Sequence, residues 1–203
     1  MKQAIRITAQ LDEIKERYTR KQESYERNIL VCGGAGCVSS NCAEIVEALE
    51  REIGQRGLTR RVNVIQTGCM GICAAGPVML VLPERIFYTN LTPAKVHEIA
   101  ENHLEQGDIL EEYTFYDASL HRHVPVIDDI EFFRSQVRIV LENCGRIEYD
   151  SIRAYIAKDG YLAAADALLC KTPEDIISEV EKSGLRGAGG RGISNGNQAV
   201  ERT

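Results

Sequence analysis

Four of the seven cysteines fall into two closely spaced pairs, and these pairs are the residues best suited to chemistry. Four residues separate Cys32 from Cys37, and three separate Cys69 from Cys73. Both pairs stand in glycine-rich segments, where the backbone can turn tightly and direct N–H groups at sulfur. Four thiolates satisfy a [2Fe–2S] cluster, and they also satisfy a structural zinc ion. The spacing by itself leaves both interpretations open.

Composition and charge exclude several other classes of protein. The 203 residues are 44% hydrophobic and 27% charged, which is typical of a globular protein, and no run approaches the roughly 18 apolar residues of a membrane span. The formal net charge of −6 argues against nucleic acid as the main partner. The first residues lack the apolar core of a signal peptide, so we expect a cytoplasmic protein, in which structural disulfides are rare.

Apolar periodicity predicts a small α/β domain that would position both cysteine pairs. Its expected elements are a helix through residues 7–25, a strand at 29–31, a helix capped by Ser39 or Ser40 and ending near Gly57, a strand at 62–65, a hairpin of 78–82 with 86–88, and a helix from Thr92 to Gly107. Each cysteine pair then follows one of the first two strands.

An uneven charge distribution predicts where this domain ends. Residues 98–131 hold ten acidic residues and one base, Arg122. We therefore expect a domain at 1–107, an acidic linker at 108–131 and a second region at 132–203. The second region is predicted to contain a strand at Val137–Leu141 and three short helices, the last capped by Thr172 and closed by Gly184. His121 and His123 stand beside the acidic strip and are interpreted as surface residues rather than as metal ligands.

The first region resembles the thioredoxin-like [2Fe–2S] ferredoxin family, in which a C-x4-C pair and a C-x3-C pair bind one cluster. The matching segments run from Val31 to Cys37 and from Gln66 to Pro77. The resemblance implies that the cluster ligands are Cys32, Cys37, Cys69 and Cys73. Cys42 is outside the pattern and is expected in the first turn of the second helix. Cys144 and Cys170 are expected to be thiols of the core.

Residues 134–192 resemble the start of the flavin- and NADH-binding subunit of NADH dehydrogenases and of electron-bifurcating or NADP-reducing iron hydrogenases. The similarity is carried by residues 138–145 and 183–187. In that family a glycine loop, approximately SGLRGRGGAGFPTGLKW, brings backbone N–H groups close to FMN and NADH. Gly187, Gly189 and Gly190 fit the loop. The fused order of the two regions resembles the beta subunit of these hydrogenases. This chain is expected to be a shortened relative of that subunit, a gene fragment or a separate electron-carrier subunit.

The glycine loop departs from the family pattern at several positions. The family arginine, aromatic residue, proline and lysine are replaced by Ala188, Ile193, Ser194 and Gln198. We therefore expect that FMN is not bound by this chain alone and that the chain alone does not oxidise NADH.

Together the patterns predict a fold and a function. The fold is α/β, a thioredoxin-like [2Fe–2S] ferredoxin domain followed by a short α/β remnant of a flavin/NADH-binding domain. The predicted function is one-electron transfer as a subunit or fragment of an NAD(P)H-linked oxidoreductase, whose other subunits are the expected partners. No catalytic base or nucleophile is predicted. The alternative is a non-redox interaction or assembly module that binds zinc.

Overall fold

The computed structural model of the protein describes residues 2–185. Their helices and strands are, in chain order, α1 (Lys2–Glu23), β1 (Arg27–Cys32), α2 (Ala35–Ser39), α3 (Cys42–Gln55), β2 (Val62–Thr67), β3 (Met79–Leu82), β4 (Ile86–Tyr88), α4 (Pro93–Ile99) with a π-helical continuation (Ala100–Gln106), β5 (Phe115–Asp117), β6 (Arg122–Val124), α5 (Glu131–Arg134), α6 (Ile152–Ile156), α7 (Leu162–Cys170) and α8 (Pro173–Ser183). Short 3-10 turns occupy Cys73–Ala75, Glu111–Tyr113 and Ile127–Asp129. Within the described residues, no helix is both long and apolar enough to cross a membrane.

The central sheet brings the two cysteine segments together at the carboxyl ends of two neighbouring strands. Its four strands are ordered β2-β1-β3-β4, with β1 parallel to β2 and the other neighbours antiparallel. Cys32, the last residue of β1, lies opposite Thr67, the last residue of β2. Because parallel strands end at the same edge of a sheet, the loops that follow β1 and β2 leave the sheet side by side.

Alternation along the strands gives the sheet two buried faces. Ile29 and Val31 of β1 point to a face covered by apolar residues of α3 and α4, among them Ile45, Leu49, Val96 and Ile99. Leu30 points to the opposite face, together with Leu80 and Phe87.

The second face is covered by residues that follow position 107. Val124, Ile127 and Ile130 are buried in the same apolar cluster as Leu30. Phe133 packs edge-on against Phe87, with ring centroids 5.3 Å apart. The compact unit built on this sheet runs from Tyr18 to Ala154. Residues 108–131, predicted as a linker, are built into it, so the predicted boundary at residue 107 does not coincide with the edge of the unit.

Most of the elements predicted for the first region are confirmed. Thr92 caps α4 by accepting a hydrogen bond from the Lys95 amide at 3.3 Å, and Gly107 ends the helical segment with φ +92°. The predicted serine cap of α3 is wrong. Ser39 belongs to α2, and the residue before α3 is Asn41, whose φ of +67° is tolerated by asparagine.

Among the described residues, the remaining compact unit contains residues 2–17 and 155–185. The three predicted helices of the second region are found as α6, α7 and α8. Thr172 and Asp175 form a capping box at the start of α8, each side chain accepting a hydrogen bond from the other's backbone amide. Gly184 closes the helix with φ +66°, as predicted.

The predicted strand at Val137–Leu141 is wrong. These residues form irregular backbone and turns, and Val137, Ile139 and Val140 are 90%, 81% and 95% exposed. A strand requires a neighbouring strand, and both outer strands of the sheet already have partners. Thr67 of β2 forms an isolated bridge with Glu148. On the other side, Ile86 and Tyr88 of β4 form isolated bridges with Val126 and Thr114. Within residues 132–185 the structure shows helices, turns and an isolated bridge at Glu148, and the rest of the expected α/β remnant lies outside the described residues.

Candidate metal centre

The four paired cysteines lie on the two neighbouring loops at the edge of the sheet. Cys32 ends β1 and Cys37 lies within α2. Cys69 follows β2, and Cys73 begins the 3-10 turn that leads to β3. Cys32 and Cys37 are buried, Cys69 is half-buried and Cys73 is exposed.

The thiols are arranged as two contacting pairs. Cys37 shares a side-chain hydrogen bond with Cys32, and Cys69 shares one with Cys73. Each pair therefore corresponds to one of the two sequence motifs. Cys69 also lies close enough to Cys32 to interact with it electrostatically.

Glycines allow the two loops to approach each other. A Cβ added at Gly34 would lie 2.8 Å from Cys69 Cβ and 2.9 Å from its Sγ. One added at Gly36 would lie 2.9 Å from Cys73 Cβ, and one at Gly76 would lie 3.1 Å from Cys37 Sγ. These approaches are closer than real Cβ contacts normally come, so a side chain on either loop would displace the facing cysteine.

Burial keeps the Cys37 and Cys69 thiols protonated in the absence of a metal. It raises the pKa of the Cys37 thiol to about 12, and the hydrogen bond with Cys32 acts in the same direction. Burial also raises the pKa of Cys69, against a backbone hydrogen bond from Gly71 that lowers it. Thiolates are the metal ligands, so binding must release these protons, and positive charge must compensate the buried anions.

One backbone group already points at a sulfur of the site. The Met70 amide donates to Cys32 Sγ at 3.5 Å, and both residues are buried. Hydrogen bonds from backbone amides to ligand sulfur are one of the means by which proteins set the potential of a cluster.

The thiol arrangement provides the ligand set of a binuclear iron cluster. Two pairs of thiols on facing loops offer two ligands for each of two irons. The donor set and the glycine-lined approach both fit a [2Fe–2S] cluster.

The segment after residue 131 contributes contacts that the sequence did not indicate. Arg138 Nη2 donates to the carbonyl of Met70 at 2.6 Å, and its Nη1 donates to the carbonyl of Cys144 at 3.3 Å. The guanidinium also lies 5.5 Å from the centroid of the Phe133 ring. Arg138 falls within a run predicted as a strand, and no signal in the sequence links it to a loop 68 residues earlier.

The predictions for the three cysteines outside the two pairs agree with the structure only in part. Cys42 is buried at the start of α3, where it was expected. Cys144 is half-buried, and a Cβ added at Gly68 would lie 3.0 Å from its Sγ. Cys170 is exposed on α7, so its prediction as a core thiol is wrong. That helix is apolar on almost every side, with Asp166 as its one charged residue, and such a pattern does not specify which face is buried.

The remaining predicted site residues lie apart from the cysteine loops or outside the described structure. His123 Nδ1 lies 3.1 Å from the Thr114 carbonyl, and its ring packs against Tyr116, contacts that fit a surface hairpin. The glycine-loop residues Gly187, Gly189 and Gly190 fall outside the described residues.

Comparison with known proteins finds the cysteine-bearing region in a defined family. Residues 9–104 match the family model described as thioredoxin-like [2Fe-2S] ferredoxin. A 2Fe-2S ferredoxin of Clostridium pasteurianum is 45% identical over 74 residues, which are 36% of this chain and 72% of that ferredoxin.

Two larger relatives share more limited or more distant similarity. The NAD-reducing hydrogenase HoxS subunit alpha of Cupriavidus necator is 27% identical over 184 residues, 83% of this chain and 26% of that protein. An NADH-quinone oxidoreductase subunit of Buchnera aphidicola is 49% identical over 45 residues, 22% of this chain and 10% of that protein. The matched segments are thus small parts of these two proteins.

Proposed function

The chain belongs to the thioredoxin-like [2Fe–2S] ferredoxin family, and on that premise we propose that it carries single electrons within an NAD(P)H-linked oxidoreductase. The observation that carries the proposal is the arrangement of four thiols in two contacting pairs on facing glycine-rich loops. These loops lie within the part of the chain that matches the family.

Each contacting pair is assigned to one iron, Cys32 with Cys37 and Cys69 with Cys73. When bound, a [2Fe–2S] cluster takes up and releases one electron. Burial of Cys32 and Cys37 excludes water from one side of the site, whereas exposed Cys73 marks the side for electron exchange with a partner. The Met70 amide supports the anionic sulfur of Cys32.

The named relatives support the proposed partners. Similarity to a hydrogenase subunit and to an NADH-quinone oxidoreductase subunit favours other subunits of such a complex as electron donor or acceptor. We assign no FMN to these 203 residues, because the glycine loop has lost the residues that Ala188, Ile193 and Gln198 replace. A cytoplasmic location suits four cysteines that must remain reduced to bind a cluster.

The nature of the metal tests the proposal. The full chain, purified without oxygen, is expected to absorb in the visible region and to contain about two iron and two sulfide per chain, the stoichiometry of this cluster type. A colourless protein that contains zinc and no iron would overturn the proposal in favour of an assembly module.

Ligand identity is tested by single substitutions. Replacing Cys32, Cys37, Cys69 or Cys73 with Ala is expected to remove most of the iron, because each substitution leaves one iron with a single protein ligand. Cys170→Ala is the matched control, since Cys170 is a free thiol exposed on α7 and its loss should leave the iron content unchanged. Full iron content in the Cys73→Ala protein would contradict the ligand assignment.

A further inference from the structure

The loop that carries Cys69 and Cys73 is held by a segment from much later in the chain. Arg138 binds the carbonyl of Met70, the residue that follows Cys69, at 2.6 Å. The same guanidinium binds the carbonyl of Cys144 at 3.3 Å. It therefore ties the cysteine loop to the turn at 141–146, and both hydrogen bonds have a charged donor, which makes them stronger than neutral ones.

Two glycines lie in close contact with the residues around this hydrogen bond. A Cβ at Gly71 would lie 3.4 Å from the Phe132 ring and 3.5 Å from Arg138 Nη2, and a Cβ at Gly145 would lie 3.1 Å from Met70 Cγ. Both glycines also have positive φ, +100° and +80°, a backbone conformation that side chains disfavour. The Cys69–Cys73 loop therefore packs closely against residues 132–145 around Met70.

Within the part of the chain that the structure describes, no acidic neighbour neutralises the charge of Arg138. Its contacts are two carbonyl oxygens and the Phe133 ring, and no carboxylate in residues 2–185 forms an ion pair with it. A half-buried cation therefore binds the residue next to a proposed cluster ligand.

We propose that Arg138 is a positioning residue of the cluster site, which fixes the Cys69–Cys73 loop and raises the reduction potential of the cluster. The proposal rests on the proposed function. Reduction adds one negative charge to a cluster that is already anionic, and a nearby fixed cation stabilises the reduced form more than the oxidised form. The cation therefore favours reduction.

A redox titration followed by electron paramagnetic resonance tests the charge. In the Arg138→Gln protein, the ratio of reduced to oxidised cluster at a fixed solution potential is expected to fall roughly tenfold, the scale of one unit charge near the cluster at a protein-like dielectric. Arg146→Gln is the matched control, because it removes the same charge from an exposed position in the same segment. Its potential should match that of the unchanged protein.

Arg138→Lys separates charge from hydrogen bonding. Lysine keeps the cation but cannot donate to two carbonyls in the same planar geometry, so the potential should stay near that of the unchanged protein. Amide hydrogen exchange at residues 69–73, measured on the metal-free protein, should be faster in the Lys and Gln variants and unchanged in Arg146→Gln.

The outcomes are distinct from those of the proposed function. Absence of iron from the unchanged chain would defeat the proposed function before any variant is compared. An iron-loaded Arg138→Gln protein with unchanged potential would overturn the role of the charge. Loss of the cluster from both Arg138 variants would also overturn it, since the retained charge of lysine would then have no effect. Unchanged hydrogen exchange in both variants would overturn the positioning role.

Discussion

At the scale of single residues, the site depends on glycines as much as on cysteines. Gly34→Ala would place a Cβ 2.8 Å from Cys69 Cβ and 2.9 Å from its Sγ. Because the contact is with a cysteine at the start of a tight loop, the loop must move to relieve it. We expect Gly34→Ala to lower the iron content of the purified protein by more than half, measured against protein concentration.

Gly54→Ala provides the control for this prediction. Gly54 lies within α3, and a Cβ added there would meet no atom within 4 Å. Alanine is favoured over glycine in a helix by roughly 0.5–1 kcal/mol, so this variant should keep its iron and unfold at the same or higher denaturant concentration. Equal iron content in the two variants would show that the close approach at Gly34 is not required.

At this scale the sequence predicted the donors and missed what supports them. Cys32 and Cys69 stand in local motifs whose spacing is visible along the chain. Arg138 acts on Met70 through a contact between residues 68 positions apart, and its neighbours in sequence are Val137 and Ile139, which suggest a strand. Local pattern carries no information about such a contact, so only the folded chain reveals it.

At the scale of elements, prediction succeeded where one segment is sufficient to define its own structure. The α4 cap depends on Thr92 and Lys95, which are three residues apart, and the strands of the β3–β4 hairpin are joined by three residues. The strand predicted at Val137–Leu141 failed because apolar β-branched residues give a preference for a strand but cannot supply a partner strand.

The packing of Val124, Ile127 and Ile130 over the second face of the sheet was not predicted, for a related reason. These three residues are called the buried cover below. Strands β5 and β6 are only three residues long and lie in a strongly acidic segment. The charge of this segment therefore indicated an exposed linker rather than part of the fold. The recurrence of Val124, Ile127 and Ile130 at intervals of three was a signal of burial, and these residues are 5%, 9% and 1% exposed.

The buried cover predicts a difference in stability between two fragments. Residues 1–107 retain the whole family match and stay predicted to fold and hold the cluster. They lack Val124, Ile127 and Ile130, and burying each such side chain stabilises a fold by about 1.5–3 kcal/mol. We therefore expect the 1–107 fragment to unfold at a clearly lower urea concentration than the 1–154 fragment, with both loaded with iron under the same conditions.

A substitution isolates this contribution within the intact chain. Ile130→Ala should lower the free energy of unfolding by about 2–5 kcal/mol, as expected for a buried residue of this size. Equal urea midpoints for the two fragments would contradict the role of the cover and would place the boundary of the folding unit at residue 107.

At the scale of the whole molecule, two kinds of similarity meet in one chain. The family match at 9–104 ends near the close of the π-helical continuation of α4. The similarity to the hydrogenase subunit spans 83% of the chain and so extends beyond the ferredoxin region. Arg138 belongs to that later part and contacts the ferredoxin loop, so the two regions are connected at the proposed cluster site.

The last prediction concerns the flavin. We expect the 203-residue chain neither to retain FMN nor to oxidise NADH. Relative to the family loop, Ala188 lacks a guanidinium of the kind that pairs with phosphate through two hydrogen bonds, and Gln198 lacks a cation. Each charged contact supplies about 1.5–3 kcal/mol, so losing both should weaken binding by one to several powers of ten. Equilibrium dialysis with FMN and a dye-coupled NADH oxidation assay measure the two activities.

Restoring one lost group tests the reason for this expectation. Ala188→Arg returns the guanidinium but leaves Ile193 and Gln198 unchanged, so neither a stacking face nor the second cation is regained. A cofactor site buries most of its ligand between packed elements, and one charged contact does not replace that burial. The Ala188→Arg chain should therefore also fail to bind FMN. Micromolar affinity in the unchanged chain would show that the residues retained from the family loop form a working site without the groups lost at Ala188, Ile193 and Gln198.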